Sequence, residues 1–153
     1  MMDIRNINNN KRLFLPLLLL GDEQEDMIDR YLDMSDLFVA FDNDCPIAVV
    51  AIMCLSDNTV EIKNLAVDIR YQRKGIGRTM IAHIRQFYQC HEILVGTGES
   101  PATTDFYKKC GFVFSHRIPD FFTNNYDHPI IDGGVQLKDM VYFKKDFACD
   151  DNA

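Results

Sequence analysis

The stretch that decides the fold is Val67-Asp68-Ile69-Arg70-Tyr71-Gln72-Arg73-Lys74-Gly75-Ile76-Gly77-Arg78. It joins an alternating strand pattern at 59–67 to an amphipathic helix pattern at 75–90. Gly75 and Gly77 remove side chains where the helix begins, so backbone N–H groups point outward at the positive end of its dipole. Basic side chains surround them, namely Arg73, Lys74 and Arg78. These features predict a site for phosphate or pyrophosphate.

A glycine-containing turn with solvated basic side chains is the alternative explanation of this segment. The segment lacks the G-x-x-x-x-G-K-[ST] spacing of a Walker A loop and the third glycine of a dinucleotide fingerprint. The turn Val95-Gly96-Thr97-Gly98 also lacks a third glycine and is soon followed by Pro101. A nucleotide-binding α/β protein is therefore disfavoured.

Length and charge limit the possible functions. The chain has 153 residues and a formal net charge of −7, which suits one domain over 1–147 with a disordered tail at 148–153. The acidic balance argues against nucleic-acid and anionic-membrane binding. Five cysteines without C-x-x-C spacing indicate reduced thiols in the cytoplasm and no metal site.

The order of patterns predicts a mixed α/β sheet with helices on both faces. Ser100 and Pro101 mark the start of one helix, and Gly111 marks its end. We expect helices at 11–20, 22–33, 75–90 and 101–110, and strands at 3–7, 37–41, 46–55, 59–67, 92–96, 112–118 and 135–145. A long loop is expected at 119–134.

Two motifs give this pattern a family resemblance. Gln72-x-x-Gly75-x-Gly77 resembles the Q/R-x-x-G-x-G/A motif of the GNAT superfamily of N-acetyltransferases, and it follows a strand that ends in Asn64-Leu65-Ala66-Val67. Downstream, Phe106-Tyr107-Lys108-Lys109-Cys110-Gly111-Phe112 resembles the family's aromatic–Tyr–x–x–x–Gly–Phe segment. The resemblance covers about residues 36–118 and implies a mostly antiparallel sheet with splayed central strands.

The resemblance also implies that the chain binds acetyl-coenzyme A as cosubstrate. The pyrophosphate would lie on the glycine turn, and the pantetheine arm would run beside the end of the preceding strand. Ser100 stands where many members carry an Asn that contacts this arm, and Thr103 replaces a common Ala; Ser100 either contacts the cofactor or only caps its helix. The implied cofactor-binding residues are Leu65, Ala66, Val67, Gln72, Arg73, Lys74, Gly75, Ile76, Gly77, Arg78, Ser100 and Thr103.

Three residues would carry the chemistry that the resemblance implies. The backbone N–H of Leu65 would stabilise the developing oxyanion. Tyr107 would act as general acid toward the leaving thiolate. The alternative is that Tyr107 only packs against the cofactor. Glu61 occupies the position of the catalytic glutamate in several members and would remove the proton of the amine. The alternative for Glu61 is an exposed carboxylate paired with Lys63 on the same strand face.

The sequence gives less information about the acceptor substrate. The expected loop contains aromatic and acidic side chains that suit a cation, and we expect acceptor binding from Phe121, Phe122, Tyr126 and Asp127. A dimer contact or an ordered cover is the alternative for this loop.

The leading interpretation is acetyl transfer to a small-molecule primary amine by direct attack. A peptide or protein amine, a non-catalytic acyl-coenzyme A-binding module and a homodimer remain open.

Overall fold

The computed structural model describes residues 2–147. The predicted tail at 148–153 and Cys149 therefore lie outside the described residues. The chain divides into two compact units, Met1–Cys90 and His91–Ala153. One domain over 1–147 stays a prediction.

An antiparallel four-stranded sheet forms the framework of the N-terminal unit. Its strands are β1 (Met2–Ile7), β2 (Asp36–Asp42), β3 (Cys45–Cys54) and β4 (Thr59–Val67). They lie in this order, so each pairs with its neighbour in the sequence. Asn43 and Asp44 join β2 to β3 and adopt the positive φ angles that such turns use.

Helices cover both faces of this sheet. A 3-10 turn at Lys11–Phe14 leads into α1 (Leu15–Gly21) and then α2 (Glu25–Asp29), whose apolar side chains pack against Leu37 and Val39. Because successive strand residues point to opposite faces, Phe38 faces the other way. Its ring meets three aromatic rings of α3 (Ile76–Tyr88) at centroid distances of 5.0 to 6.0 Å.

The predicted continuous helix at 22–33 is wrong. Helix α2 ends at Asp29, and a 3-10 turn at Leu32–Met34 follows. At Tyr31 the backbone leaves the helical region, with φ at −130°. The Tyr31 side chain is buried, and its hydroxyl accepts a hydrogen bond from Asn64 on β4. The contact between Tyr31 and the sheet thus overrides the local preference for a continuous helix that the periodicity indicates.

The C-terminal unit contains β5 (Glu92–Gly98), α4 (Pro101–Lys109), β6 (Val113–Ile118) and β9 (Met140–Asp146). Its three strands form a second antiparallel arrangement, in the order β5-β9-β6. Helix α4 follows Ser100 and begins at Pro101, and Gly111 ends the turn after it with a φ of +94°, as the sequence predicts.

The expected loop at 119–134 and the expected strand from 135 are corrected by the structure. A short helix, α5 (Phe121–Asn125), precedes a two-stranded hairpin of β7 (Ile131–Asp132) and β8 (Val135–Gln136). The last strand begins only at Met140. A small core of Phe122, Ile130 and Leu137 holds this 119–137 segment together.

The architecture confirms the predicted, mostly antiparallel α/β fold. Every strand pairing within the two units is antiparallel. Within the described part of the chain, no helix is long and apolar enough to cross a membrane.

Candidate active site

The glycine turn begins helix α3 with a backbone shaped for an anion. Gly75 precedes the helix with a φ of +81°, and a Cβ placed there would meet nothing within 4 Å. The N–H of Thr79 donates a hydrogen bond to the carbonyl of Gly75, at 3.0 Å. The amides of Ile76 and Gly77 therefore come before the helical bonding pattern starts. An open backbone at the positive end of a helix dipole suits a pyrophosphate.

Two neighbours shape this turn. Arg73 adopts the left-handed region with a φ of +63°, a conformation that costs a non-glycine residue about 1–2 kcal/mol. Strained backbone of this kind concentrates at binding sites. Gln72 donates its side-chain amide to the carbonyl of Val67 at 2.9 Å. The Gln72 side chain thus ties the turn to the end of β4.

The basic side chains at the turn face solvent. Arg73, Lys74 and Arg78 are exposed. The ammonium of Lys74 lies 5.5 Å from the ring centroid of Tyr71, where the π-system attracts a cation. These charges form a positive surface in an otherwise acidic chain, and positive charge of this kind attracts phosphate oxygens.

Strand β4 contains an irregularity beside the predicted catalytic residues. Ala51 pairs with Asn64 and Ile52 pairs with Ile62, so Lys63 is an additional residue in the strand. This β-bulge precedes Leu65, and bulges near active sites re-aim neighbouring groups. The predicted cofactor residues 65–67 lie opposite 48–50 on β3.

Glu61 lies on β4 and forms an ion pair with Lys63. The ammonium is 3.3 Å from a carboxylate oxygen, and only 12% of the Glu61 side chain is exposed. The pair with Lys63 that one alternative expected is present, but the carboxylate is largely buried rather than exposed. The role of Glu61 as a base stays a prediction.

A buried polar cluster next to this pair was missed by the sequence analysis. Asn64 donates to the carbonyl of Leu18 at 2.9 Å and to the hydroxyl of Tyr31 at 3.0 Å. Its Oδ1 is buried and has no hydrogen-bond partner among the described residues. Burial raises the pKa of Tyr31, and the nearby charge of Asp22 raises it further. The sequence feature that could have indicated this cluster is the polar residue Asn64 between Ile62 and Ala66 on the buried face of β4.

Tyr107, the predicted acid, lies in the C-terminal unit on helix α4. It is buried, with its ring 5.0 Å from that of Phe106 and 5.4 Å from that of Phe112. Burial raises the pKa of the Tyr107 phenol, and Cys110 adds to the increase. The hydroxyl is therefore held in its protonated form, which is the form that a proton donor requires.

Ser100 and Thr103 share one partner that sequence analysis did not assign. Both hydroxyls donate to Oδ2 of Asp132, at 2.9 and 3.1 Å. Ser100 occupies the N-cap position of α4, but its side chain makes no cap hydrogen bond. The predicted cofactor contacts of these two residues stay predictions, and the hydroxyls bind Asp132 in this structure.

The predicted acceptor residues divide into buried and exposed groups. Phe122 is buried, and its ring stacks on Tyr126 at a centroid distance of 5.3 Å. Phe121 packs against the same core. The Asp127 side chain is 79% exposed and pairs with adjacent His128. A cavity of about 230 Å³ opens among the residues Phe122, Thr123, Tyr126, Asp127, His128, Pro129, Ile130, Gln136 and Leu137.

Comparison with protein families matches residues 33–114 to the acetyltransferase (GNAT) domain. This match includes more than half of the chain. The chain belongs to the GNAT family. The predicted family is thereby confirmed, as is its N-acetyltransferase class.

Relatives of this GNAT protein extend the match beyond the two motifs. The uncharacterized N-acetyltransferase YvbK of Bacillus subtilis is 34% identical over 129 residues, which are 82% of this chain and 83% of YvbK. A GNAT acetyltransferase from Elizabethkingia anophelis, solved with acetyl-CoA bound, has a TM-score of 0.87 and 28% identity, covering 95% of this chain and 98% of its own. A Bacillus subtilis acetyltransferase in complex with CoA has a TM-score of 0.85 and 30% identity, covering 97% and 100%.

These comparisons confirm the predicted GNAT fold and acetyl-CoA as the cosubstrate of the family. The glycine turn agrees with that cosubstrate, because its open backbone at Gly75 and its exposed basic side chains suit a pyrophosphate. The roles assigned to individual residues stay predictions.

Proposed function

We propose that this GNAT enzyme transfers the acetyl group of acetyl-CoA to the primary amine of a small molecule by direct attack. The observation that carries the proposal is the largely buried Glu61 carboxylate, held by Lys63 on the same strand as Leu65. A fixed carboxylate can accept the proton that an alkyl ammonium must lose before it becomes a nucleophile.

The residues of the glycine turn would hold the cosubstrate. The amides of Ile76 and Gly77 would bind the pyrophosphate, and Arg73, Lys74 and Arg78 would add positive charge. Gln72 would act indirectly, by fixing the turn to Val67. The backbone of residues 65–67 would pair with the pantetheine arm.

The reaction divides its proton transfers between two side chains. The alkyl ammonium gives one proton to Glu61, directly or through water, and its nitrogen then forms a bond to the acetyl carbon. As the carbon–sulfur bond breaks, Tyr107 donates a proton to the thiolate, and the nitrogen gives up its second proton, which restores the Tyr107 hydroxyl. The N–H of Leu65 would donate to the carbonyl oxygen as negative charge develops on it.

The size of the cavity in the 119–137 segment favours a small acceptor. Its volume of about 230 Å³ lies below the roughly 300–1,000 Å³ of drug-sized ligand sites. Aromatic rings of Phe122 and Tyr126 line it, and such rings attract cations. We therefore assign acceptor contacts to this segment.

A comparison of acceptors tests the proposal. Purified enzyme with acetyl-CoA is offered small primary amines, peptides with free N-termini, and lysine-containing peptides, while thiol release and product mass are recorded. We expect the highest kcat/KM with a small amine. A higher kcat/KM for peptides would establish a peptide acetyltransferase instead, and tight acetyl-CoA binding without any thiol release would establish a non-catalytic module.

A cytoplasmic location is also proposed. Cys45 and Cys54 are exposed and carry free thiols, a state that a reducing compartment maintains. Cell fractionation with an antibody against the chain tests this location, and recovery outside the cytoplasmic fraction would contradict it.

A further inference from the structure

Asp132 occupies a fixed position at the end of the short strand β7. The reversal into β8 uses Gly133 and Gly134, whose φ angles of +57° and +80° suit the tightest hairpin turns. The strand pairing sets Asp132 opposite Val135. The backbone that carries this carboxylate is therefore constrained on both sides.

The side chain of Asp132 is held as well. Its Oδ2 accepts hydrogen bonds from Ser100 and Thr103, at 2.9 and 3.1 Å, and Ser100 is only 1% exposed. Within residues 2–147, Oδ1 of Asp132 accepts no hydrogen bond. Two donors thus orient the carboxylate while one oxygen keeps its capacity for a further donor.

Helix α4 relates this carboxylate to Tyr107. Thr103 and Tyr107 are four residues apart, so they lie one turn apart on the same helix face. Because Thr103 binds Asp132, the carboxylate lies beside that face, one turn before the proposed proton donor.

Asp127, the acceptor carboxylate expected from the sequence, has a weaker position. Its side chain is 79% exposed and pairs with the adjacent His128, and exposed pairs of this kind contribute little binding energy. Asp132 is half-buried, so solvent weakens its attraction for a cation less than it does at an exposed carboxylate. Because the Asp132 side chain is already fixed, binding a cation costs less conformational entropy.

We propose that Asp132 determines acceptor specificity, by accepting a hydrogen bond at Oδ1 from an alkyl ammonium group of the acceptor. This inference rests on the proposed amine acetyltransferase function and names its substrate class: amines that are protonated near neutral pH. Asp132 would bind the amine in its charged form, before the amine loses its proton.

Asp132→Asn tests the charge without removing the Ser100 and Thr103 interactions, because the amide oxygen still accepts hydrogen bonds. Thiol release is measured with alkyl amines and with aniline-type amines, which are uncharged near neutral pH. We expect KM for alkyl amines to rise about tenfold or more, as for the loss of a charged hydrogen bond. KM for acetyl-CoA and for anilines should stay within about twofold.

Asp105→Asn is the matched control, since Asp105 is an exposed carboxylate on the same helix; its kinetics should equal those of the wild type. An equal rise in KM for alkyl amines and anilines would overturn the inference, as would a rise confined to acetyl-CoA. A larger effect from Asp127→Asn would return the role to Asp127. Failure of the wild type to acetylate any amine would overturn the proposed function and the inference together.

Discussion

The ammonium group of Lys63 lies 3.3 Å from the carboxylate of Glu61, two residues earlier on strand β4. Lys63 is also the additional residue of the β-bulge. The bulge and the ion pair therefore occur together, and Lys63 stands two residues before Leu65. This arrangement limits the freedom of a carboxylate whose side chain is only 12% exposed, as a positioned proton acceptor requires.

The first prediction concerns this carboxylate. Glu61→Gln keeps the shape of the side chain but removes its capacity to accept a proton, so kcat should fall about 100-fold. Affinity for acetyl-CoA, measured by calorimetry, should stay unchanged. Glu25→Gln is the control, because Glu25 is an exposed partner of Arg12. Wild-type turnover in Glu61→Gln would remove Glu61 from the role of base.

The second prediction concerns the Tyr107 hydroxyl. Tyr107→Phe keeps the buried ring and its contacts with Phe106 and Phe112, so the protein should fold normally. Because no proton can be returned to the thiolate, kcat should fall by about 10², with acetyl-CoA affinity retained. Thiol release in steady state and calorimetry measure the two effects. Loss of affinity with unchanged kcat would identify Tyr107 as a packing residue only.

The third prediction concerns stability at alkaline pH. Burial holds the pKa of Tyr107 above its ordinary value of about 10. Above that pH the unfolded chain releases the proton while the folded chain keeps it, so stability is complete below about pH 10 and decreases as the pH rises further. Urea titrations should show that the free energy of unfolding falls less steeply in Tyr107→Phe, by at most about 1.4 kcal/mol per pH unit. Parallel pH curves for the two proteins would contradict this.

The fourth prediction concerns the glycine turn. Gly77→Glu introduces a carboxylate at the start of α3, where repulsion and bulk would oppose the pyrophosphate. Calorimetry should detect no binding of acetyl-CoA, although circular dichroism should remain that of the wild type. Ala82→Glu adds the same charge to an exposed position of the same helix and should bind normally. Retained binding in Gly77→Glu would show that the cofactor lies elsewhere.

Local patterns predicted the elements around the turn because their determinants are local. The limits of β4 agree with the alternating pattern at 59–67, and Gly111 ends the turn after α4 as expected. By contrast, β7 and β8 have two residues each, too few to show a period. The Gly133-Gly134 pair was the available signal for their hairpin.

Contacts between distant residues account for the remaining differences. The helix expected at 22–33 breaks where Tyr31 meets Asn64, 33 positions away. Asp132 binds Ser100 across 32 positions, so the spacing of residues near α4 contained no sign of it. A single sequence records the local preference of each segment, but these hydrogen bonds depend on how the segments pack.

The last prediction concerns the buried amide of Asn64. A Cβ at Gly21 would lie 2.2 Å from its Oδ1, so Gly21→Ala should destabilise the fold by about 1–3 kcal/mol through overpacking. Without that clash, alanine near a helix end would be neutral or stabilising by up to about 1 kcal/mol. Asn64→Ala removes the clash but also two buried hydrogen bonds, at a cost of about 1–3 kcal/mol. In urea unfolding, the double variant should therefore be more stable than the sum of the single effects, and strict additivity would show that the two residues do not compete for this space.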